Sequence, residues 1–129
     1  MAHIQLKNIS KKFGTHTALS GLDLEIGDGE FFVLLGETGA GKTTTLRLIA
    51  GLEKPTEGKI FIDGADVGDW GAAERDVALV LQQYSLYPRY TVRENLEFPL
   101  KSKIRRLEPA EIAERVARVA KTLRIEHLL

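Results

Sequence analysis

The sequence predicts an α/β fold, and three features of the 129-residue chain indicate it. Two runs of five apolar residues, 31–35 and 77–81, have the length and composition of strands that are covered on both faces. A glycine-rich stretch follows the first run and leads into residues that favour a short helix. From Pro109 onward, the apolar residues recur at the spacing of an amphipathic helix. Buried strands together with helices indicate a mixed fold, and the length supports one modest domain.

The composition excludes several classes of protein. Apolar residues make up 43% of the chain and charged residues 28%, which is typical of a globular domain. The apolar runs are far shorter than the roughly 20 residues that cross a bilayer. The N-terminus lacks the basic and apolar regions of a secretory signal. The absence of cysteine excludes a disulfide framework and a thiolate metal site, and we therefore expect a cytosolic protein.

The charges balance over the whole chain but not along it. Eighteen basic and eighteen acidic residues give a net charge of zero, without the basic surplus that a binder of nucleic acid needs. Residues 1–100 carry 10 basic and 14 acidic residues, whereas residues 101–129 carry 8 and 4. The basic end is either a patch for RNA or a membrane surface, or the solvated face of a helix; we adopt the second interpretation.

Local patterns predict each element of the first half in turn. Alternation of apolar and polar residues predicts a strand over 4–9, at the edge of a sheet, and a half-buried strand over 18–26. The Gly-Asp-Gly sequence at 27–29 predicts a turn before the buried strand 31–35. The helix after the glycine-rich stretch is expected to end at Gly51, its C-terminal cap.

The second half begins with strands and ends with helices. A turn at 55–58, a strand at 59–62 and a second turn at Asp63 and Gly64 precede the buried strand 77–81. A short amphipathic segment interrupted by a proline comes before the last helix, whose first turn contains a proline and a glutamate. The apolar stripe of this last helix consists of Ile112, Val116, Val119 and Leu123.

Residues 36–43, GETGAGKT, match the phosphate-binding pattern G-x-x-x-x-G-K-[ST] and form the strongest chemical signal in the chain. Glycines adopt the positive φ angles that aim several backbone N–H groups at one phosphate, and the helix N-terminus adds its dipole. Lys42 supplies a positive charge for the β- and γ-phosphates, Thr43 a hydroxyl for Mg²⁺, and Thr44 reaches the α-phosphate. The predicted nucleotide-binding residues of this segment are Gly36, Glu37, Thr38, Gly39, Ala40, Gly41, Lys42, Thr43 and Thr44.

Hydrolysis of a nucleotide needs a carboxylate at the end of a neighbouring strand, which holds Mg²⁺, and a group that orients the attacking water. Asp63 follows three apolar residues, but Gly64 comes next, and Asp-Gly is a strong hairpin signal; we therefore interpret Asp63 as a turn residue. Residues 77–81 are followed by Gln82 and Gln83 rather than by an aspartate. We find no convincing Walker-B carboxylate in the sequence.

The order of these motifs resembles that of the ATP-binding subunits of ABC transporters, over essentially the whole chain. Residues 84–88, YSLYP, and the helix from Pro109 are most similar to importers of sugars and polyols within that family. The segments that carry the resemblance are 12–14 (KFG), 18–19 (AL), 22–24 (LDL), 42–46 (KTTTL), 49–52 (IAGL), 55–58 (PTEG), 59–64 (KIFIDG), 80–82 (VLQ), 86–88 (LYP) and 91–95 (TVREN).

The resemblance implies an α/β P-loop NTPase core of the ABC type, with an antiparallel β-subdomain and the start of a helical subdomain. It assigns residues 1–88 to the β-subdomain and P-loop core, and residues 89–129 to the helical subdomain. Family members also carry a signature loop of the Leu-Ser-Gly-Gly-Gln type, a Walker-B aspartate, a catalytic glutamate and a switch histidine, and we find none of them here. We therefore expect a truncated, N-terminal part of a longer subunit, with weak or no ATPase activity by itself.

The resemblance also implies roles for two residues outside the loop. Phe13 matches the aromatic position on which adenine stacks, where the family more often has tyrosine; the alternative is a phenylalanine of the core. Gln82 matches the Q-loop glutamine, which reaches Mg²⁺ or the attacking water, although Gln83 leaves the register open by one residue. The expected catalytic residues are thus Lys42 and Gln82, and the expected Mg²⁺ ligands are Thr43 and Gln82.

The implied function is the coupling of ATP binding and hydrolysis to the import of a solute, a carbohydrate in our interpretation. The implied partners are permease subunits and a second nucleotide-binding subunit, on the inner face of the plasma membrane. An exposed aromatic cluster of Tyr84, Tyr87 and Tyr90 is expected to serve contact with the permease. The residues by themselves leave two alternatives open, namely a small P-loop kinase and a non-catalytic nucleotide-binding module.

Overall fold

A computed structural model describes residues 2–81, 86–102 and 106–129 of the chain. The chain divides into two compact units, residues 1–79 and residues 80–129. Among the helices in these described ranges, none has both the length and the apolar character that spanning a membrane requires.

A four-stranded antiparallel sheet forms most of the first unit. Its strands are β1 (Ile4–Phe13), β2 (His16–Ile26), β3 (Glu57–Ile62) and β4 (Ala65–Asp66), in the spatial order β2-β1-β3-β4. β1 is therefore an inner strand, and the prediction of an edge strand over residues 4–9 is wrong. The error arises because β3, which pairs with β1, lies more than 40 residues later, and no local pattern encodes that pairing.

A two-residue turn at Asp63 and Gly64 joins β3 to β4. Both residues have positive φ, 49° and 79°, and they lie between the paired residues Ile62 and Ala65, as in the hairpin turns that Asp-Gly favours. The Asp63 carboxylate accepts a hydrogen bond from the His3 backbone N–H at 2.8 Å. The interpretation of Asp63 as a turn residue is confirmed.

Helix α1 (Lys42–Ile49) packs its apolar side chains against the sheet. The core of this unit is formed by Leu6, Ile9, Leu48, Ile49, Ile60 and Val67. Gly51 lies just beyond the end of α1 and has φ 73°, and the N–H groups of Gly51 and Leu52 donate to the carbonyl oxygens of Leu48 and Arg47. This is the Schellman arrangement, in which a left-handed residue closes the helix, and it confirms the predicted cap.

A buried arginine, Arg75, joins the end of α1 to the chain that follows the sheet. Its side chain donates hydrogen bonds to the carbonyl oxygens of Leu48 at 2.6 Å, Ile49 at 3.1 Å and Val67 at 2.8 Å. The carbonyl end of a helix carries partial negative charge, which favours a cation at this place. Burial lowers the pKa of the Arg75 guanidinium below its ordinary value.

The two apolar runs, 31–35 and 77–81, form no strand, and the prediction of two buried strands is wrong. A strand is defined by backbone hydrogen bonds to a neighbour, and neither run pairs with the sheet of the described residues. Two side chains of the first run are almost uncovered, with Phe31 92% and Leu35 84% exposed. Apolar composition alone therefore does not determine whether a run of strand length pairs with a sheet.

The second unit is helical. It contains α2 (Val92–Glu97), a 3-10 helix (Phe98–Lys101), α3 (Pro109–Leu123) and a final 3-10 helix (Glu126–Leu128). α2 begins with a capping box, in which the Thr91 hydroxyl accepts from the Glu94 N–H and the Glu94 carboxylate accepts from the Thr91 N–H.

The predicted helix from Pro109 is present, but its buried face differs from the predicted stripe. Pro109 occupies the first helical position and Glu111 lies in the first turn, as expected. Ile112 and Val116 are buried together with Ala120, whereas Val119 and Leu123 of the predicted stripe are exposed. Ala120 continues the row of Ile112 and Val116 in steps of four residues, although its side chain is smaller than those of Val119 and Leu123.

Candidate nucleotide-binding site

The glycine-rich loop runs into the N-terminus of α1, as the motif predicts. Gly39 and Gly41 have positive φ angles of 88° and 83°, which only glycine adopts without strain. The Ala40 N–H donates to the Glu37 carbonyl oxygen at 3.1 Å and closes a tight turn within the loop. This geometry provides the curled backbone that a phosphate-binding loop requires.

Gly41 also lies against β2, where a larger residue would not fit. A Cβ atom built on Gly41 would lie 2.7 Å from the Ala18 carbonyl oxygen and 2.5 Å from Leu19 Cδ2. The loop is therefore held against a strand that the motif itself does not include. No local sequence pattern indicates this support, because the contact joins residues more than 20 positions apart.

The Lys42 ammonium group is bound to the loop that precedes it. Its Nζ donates to the carbonyl oxygens of Gly36 and Glu37, both at 2.6 Å. The charge is thereby kept beside the loop, at the end of α1 where anions are favoured. The phosphate-binding role of Lys42 stays a prediction of the motif.

The first N–H groups of helix α1 have no acceptor within the helix. Its hydrogen bonds begin with the Thr45 N–H, which donates to the Gly41 carbonyl oxygen at 2.8 Å; the Thr45 hydroxyl donates to the same oxygen at 3.1 Å. The N–H groups of Lys42, Thr43 and Thr44 precede this first bond and have no intrahelical acceptor. Together with the glycine loop, they form a cluster of donors suited to a polyphosphate.

Of the two predicted Mg²⁺ ligands, Thr43 lies within the described residues. Thr43 is exposed on the first turn of α1 and offers the hard oxygen donor that Mg²⁺ prefers. Within residues 2–81, 86–102 and 106–129, no group of three or more histidine, aspartate or glutamate side chains could hold a metal by itself. The second predicted ligand, Gln82, lies outside the described residues, as does Gln83.

Phe13 ends β1 and is 44% exposed, which argues against the alternative of a core phenylalanine. It pairs with His16 at the tip of the β1–β2 hairpin. Leu19, which contacts the loop at Gly41, lies three residues further along β2, or about 10 Å at the rise of an extended strand. The hairpin therefore carries an exposed ring on the same strand pair that supports the phosphate loop.

An aromatic cluster lies on the second unit. The rings of Tyr87, Tyr90 and Phe98 have centroid separations of 4.6 to 5.9 Å, and all three side chains are exposed. The Asn95 amide holds the preceding loop by donating to the carbonyl oxygens of Tyr90 and Thr91. Phe98 was missed by the sequence analysis, and Tyr84 lies outside the described residues.

Comparison with known proteins gives the same family as the motifs. A family model described as ABC transporter matches residues 19–129, which is most of the chain. The chain belongs to the ABC transporter family. The resemblance stated from the motifs is thereby confirmed, and the family match favours it over a small P-loop kinase.

Similar proteins are named for the import of different solutes, as two ABC relatives show. The chain is 46% identical to the Fe(3+) ions import ATP-binding protein FbpC of Vibrio cholerae, over 95% of this chain and 34% of that protein. It is 46% identical to the trehalose/maltose import ATP-binding protein MalK of Thermococcus litoralis, over all of this chain and 36% of that protein. The chain thus spans about a third of the length of these relatives.

Solved ABC structures confirm the expected fold class. The dimeric structure of MJ0796, a bacterial ABC transporter cassette, matches with a TM-score of 0.77 and 37% sequence identity. The match covers 94% of this chain and 56% of that cassette. The antiparallel sheet, the glycine-rich loop and the helices thus belong to the α/β fold of the ABC ATPases.

Proposed function

We propose that this chain is the ATP-binding portion of a subunit that couples ATP binding and hydrolysis to the import of a solute. The observation that carries the proposal is the loop at residues 36–44, which combines positive-φ glycines, unpaired helix amides and the Lys42 ammonium group in a member of the ABC family.

For the imported solute we propose a carbohydrate. The YSLYP segment at 84–88 and the similarity to a trehalose/maltose protein support this class.

The proposed roles follow the chemistry of each group. The backbone N–H groups of Gly39, Gly41 and the first turn of α1 bind phosphate oxygens, and Lys42 exchanges its loop carbonyls for the β- and γ-phosphates. Thr43 is the proposed hydroxyl ligand of Mg²⁺, which would neutralise charge on the phosphates when bound. Phe13 stacks on the adenine. Gln82 is the proposed residue that orients the attacking water and completes the Mg²⁺ site.

Hydrolysis by the 129-residue chain alone is expected to be weak or absent. The sequence lacks a Walker-B aspartate and a catalytic glutamate, and water without a general base attacks a phosphate slowly. Turnover at about 1 s⁻¹ or faster, which is common for enzymes, would contradict this proposal. A chain that binds MgATP without turnover would be a nucleotide-binding module by itself.

The proposed partners are permease subunits and a second nucleotide-binding subunit, at the inner face of the plasma membrane. The exposed cluster of Tyr87, Tyr90 and Phe98 supports a protein contact in the second unit, because aromatic side chains are enriched in interfaces. We also propose the division into a β-subdomain and P-loop core, 1–88, and the beginning of a helical subdomain, 89–129. This proposed boundary lies nine residues after the one that separates the two compact units, at residues 79 and 80.

Calorimetric titration with MgATP tests the proposed phosphate site. Lys42→Ala removes the ammonium group and is expected to weaken binding at least tenfold, since a charged hydrogen-bond donor to phosphate contributes about 1.5–3 kcal/mol. Lys59→Ala is the matched control, because Lys59 forms an exposed ion pair with Asp66 away from the loop. Equal affinity of Lys42→Ala and the unaltered chain would refute the assignment of Lys42.

A further inference from the structure

The ring of Phe13 lies under a lysine ammonium group. Lys11 Nζ is 4.7 Å from the centroid of the Phe13 ring, within the range of a cation–π interaction. Lys11 and Phe13 are two positions apart on β1, so their side chains project from the same face of the strand. With 44% of Phe13 exposed, ring surface remains accessible to a ligand.

Lys11 is fixed in this position by the chain that follows α1. Its ammonium group forms an ion pair with Glu53 Oε2 at 3.0 Å and donates to the Lys54 carbonyl oxygen at 2.8 Å. The Lys11 side chain is only 13% exposed, which is low for a lysine. Such an anchored ammonium group has little freedom to leave the ring.

The same contacts connect Phe13 to the helix that begins at the phosphate loop. The Glu53 carboxylate also lies 3.5 Å from Arg47 Nη2, and the Glu53 N–H donates to the Arg47 carbonyl oxygen at 3.3 Å. Arg47 lies in the last turn of α1. A continuous set of ion pairs and hydrogen bonds therefore runs from α1 through Glu53 and Lys11 to the aromatic ring.

We propose that Lys11 is a positioning residue for the nucleobase, acting through Phe13. This role rests on the proposed nucleotide site, to which it adds the Lys11 ammonium group as the group that holds the Phe13 ring in place. The ammonium group restricts the rotamers of Phe13, which lowers the entropy lost when a base stacks on it. It also draws π-electron density toward itself, which makes the ring a better partner for an electron-rich purine.

The affinities of two ligands distinguish whether Lys11 acts on binding of the base or on binding of the phosphates. MgATP carries both groups, whereas magnesium tripolyphosphate carries only the phosphate chain. Lys11→Met keeps the length of the side chain but removes its charge, and it is expected to weaken MgATP binding about three- to tenfold, from the size of a cation–π interaction. It should leave tripolyphosphate binding unchanged, and Lys11→Arg should retain most of the MgATP affinity.

The chain offers a matched control on the same strand. Lys7 Nζ lies 4.8 Å from the centroid of the Phe61 ring, which is a similar cation–π pair remote from the loop. Lys7→Met should therefore change neither affinity. In the Phe13→Ala background, Lys11→Met should have no further effect, because the ring through which it acts is absent.

Three results would overturn the proposal. Equal weakening of both ligands by Lys11→Met would mean that the lysine acts by holding α1 rather than the ring. Unchanged MgATP affinity in Lys11→Met, or a full effect of that substitution in the Phe13→Ala background, would exclude action through Phe13. Failure of the unaltered chain to bind either ligand would instead refute the phosphate site, and the proposed function with it.

Discussion

At the residue scale, the two positive-φ glycines of the loop meet different surroundings. A Cβ atom on Gly41 would collide with Ala18 and Leu19, whereas one on Gly39 would meet no atom within 4 Å. Both positions impose the left-handed conformation, with φ angles of 83° and 88°. Backbone strain and steric exclusion therefore act together at Gly41, and strain acts alone at Gly39.

Gly41→Ala is expected to destabilise the first unit by roughly 1–3 kcal/mol, because it adds a clash with β2 to the strain of a left-handed alanine. Gly39→Ala is the matched control and should cost less, since only the strain applies. Urea denaturation followed by circular dichroism measures both changes as shifts of the transition midpoint. Equal shifts for the two variants would mean that the contact with Ala18 and Leu19 does not constrain the loop.

At the element scale, the features that sequence predicts are those that short segments encode. The loop with α1, the cap at Gly51 and the Asp63–Gly64 turn all depend on a few adjacent residues, and all are present. The inner position of β1, the support of the loop by β2 and the hydrogen bonds from Arg75 to the end of α1 depend on residues 20 or more positions apart. Those long-range contacts leave no local pattern that could have predicted them.

The capping box of α2 gives the second unit a dependence on pH. Hydrogen bonds from Thr91, above all from its backbone N–H, lower the pKa of the Glu94 carboxyl below its ordinary value. Since this pKa is lower in the folded state than in the unfolded state, the ionised carboxylate stabilises the fold above the unfolded value. That contribution is lost as the pH falls through the folded value.

We therefore expect the stability advantage of the unaltered chain over Glu94→Gln to shrink as the pH falls from 7 to about 3. Urea midpoints of both proteins across this range measure the difference. Glu114→Gln, at an exposed glutamate of α3, serves as the control substitution. An advantage that grows on acidification would contradict the sign derived from the capping box.

At the scale of the whole molecule, the apolar run at residues 31–35 exposes apolar side chains to water. Phe31 and Leu35 are almost fully exposed, and the backbone of residues 31–35 pairs with no strand of the described sheet. Unpaired apolar segments of strand length promote pairing with other chains. The chain therefore has the physical requirements for self-association through this run.

Sedimentation velocity is expected to show dimers or larger species of the 129-residue chain at micromolar concentration. The double substitution Phe31→Ser and Leu35→Ser should shift the distribution toward monomer, because it removes the apolar side chains. Phe98→Ser, which alters an exposed aromatic residue of the second unit, is the control. A compact monomer for the unaltered chain at all concentrations would argue against association through residues 31–35.

The proposed nucleotide site depends on the binding of the MgATP polyphosphate by the backbone amides at the start of α1. Amide chemical shifts of the ¹⁵N-labelled chain, recorded by NMR during titration with MgATP, test it most directly. We predict that the largest shifts occur at Gly39, Gly41, Lys42, Thr43 and Thr44, since a bound anion changes the environment of every N–H group that donates to it. Saturating shifts confined to other parts of the chain, or no shifts at millimolar MgATP, would contradict the account.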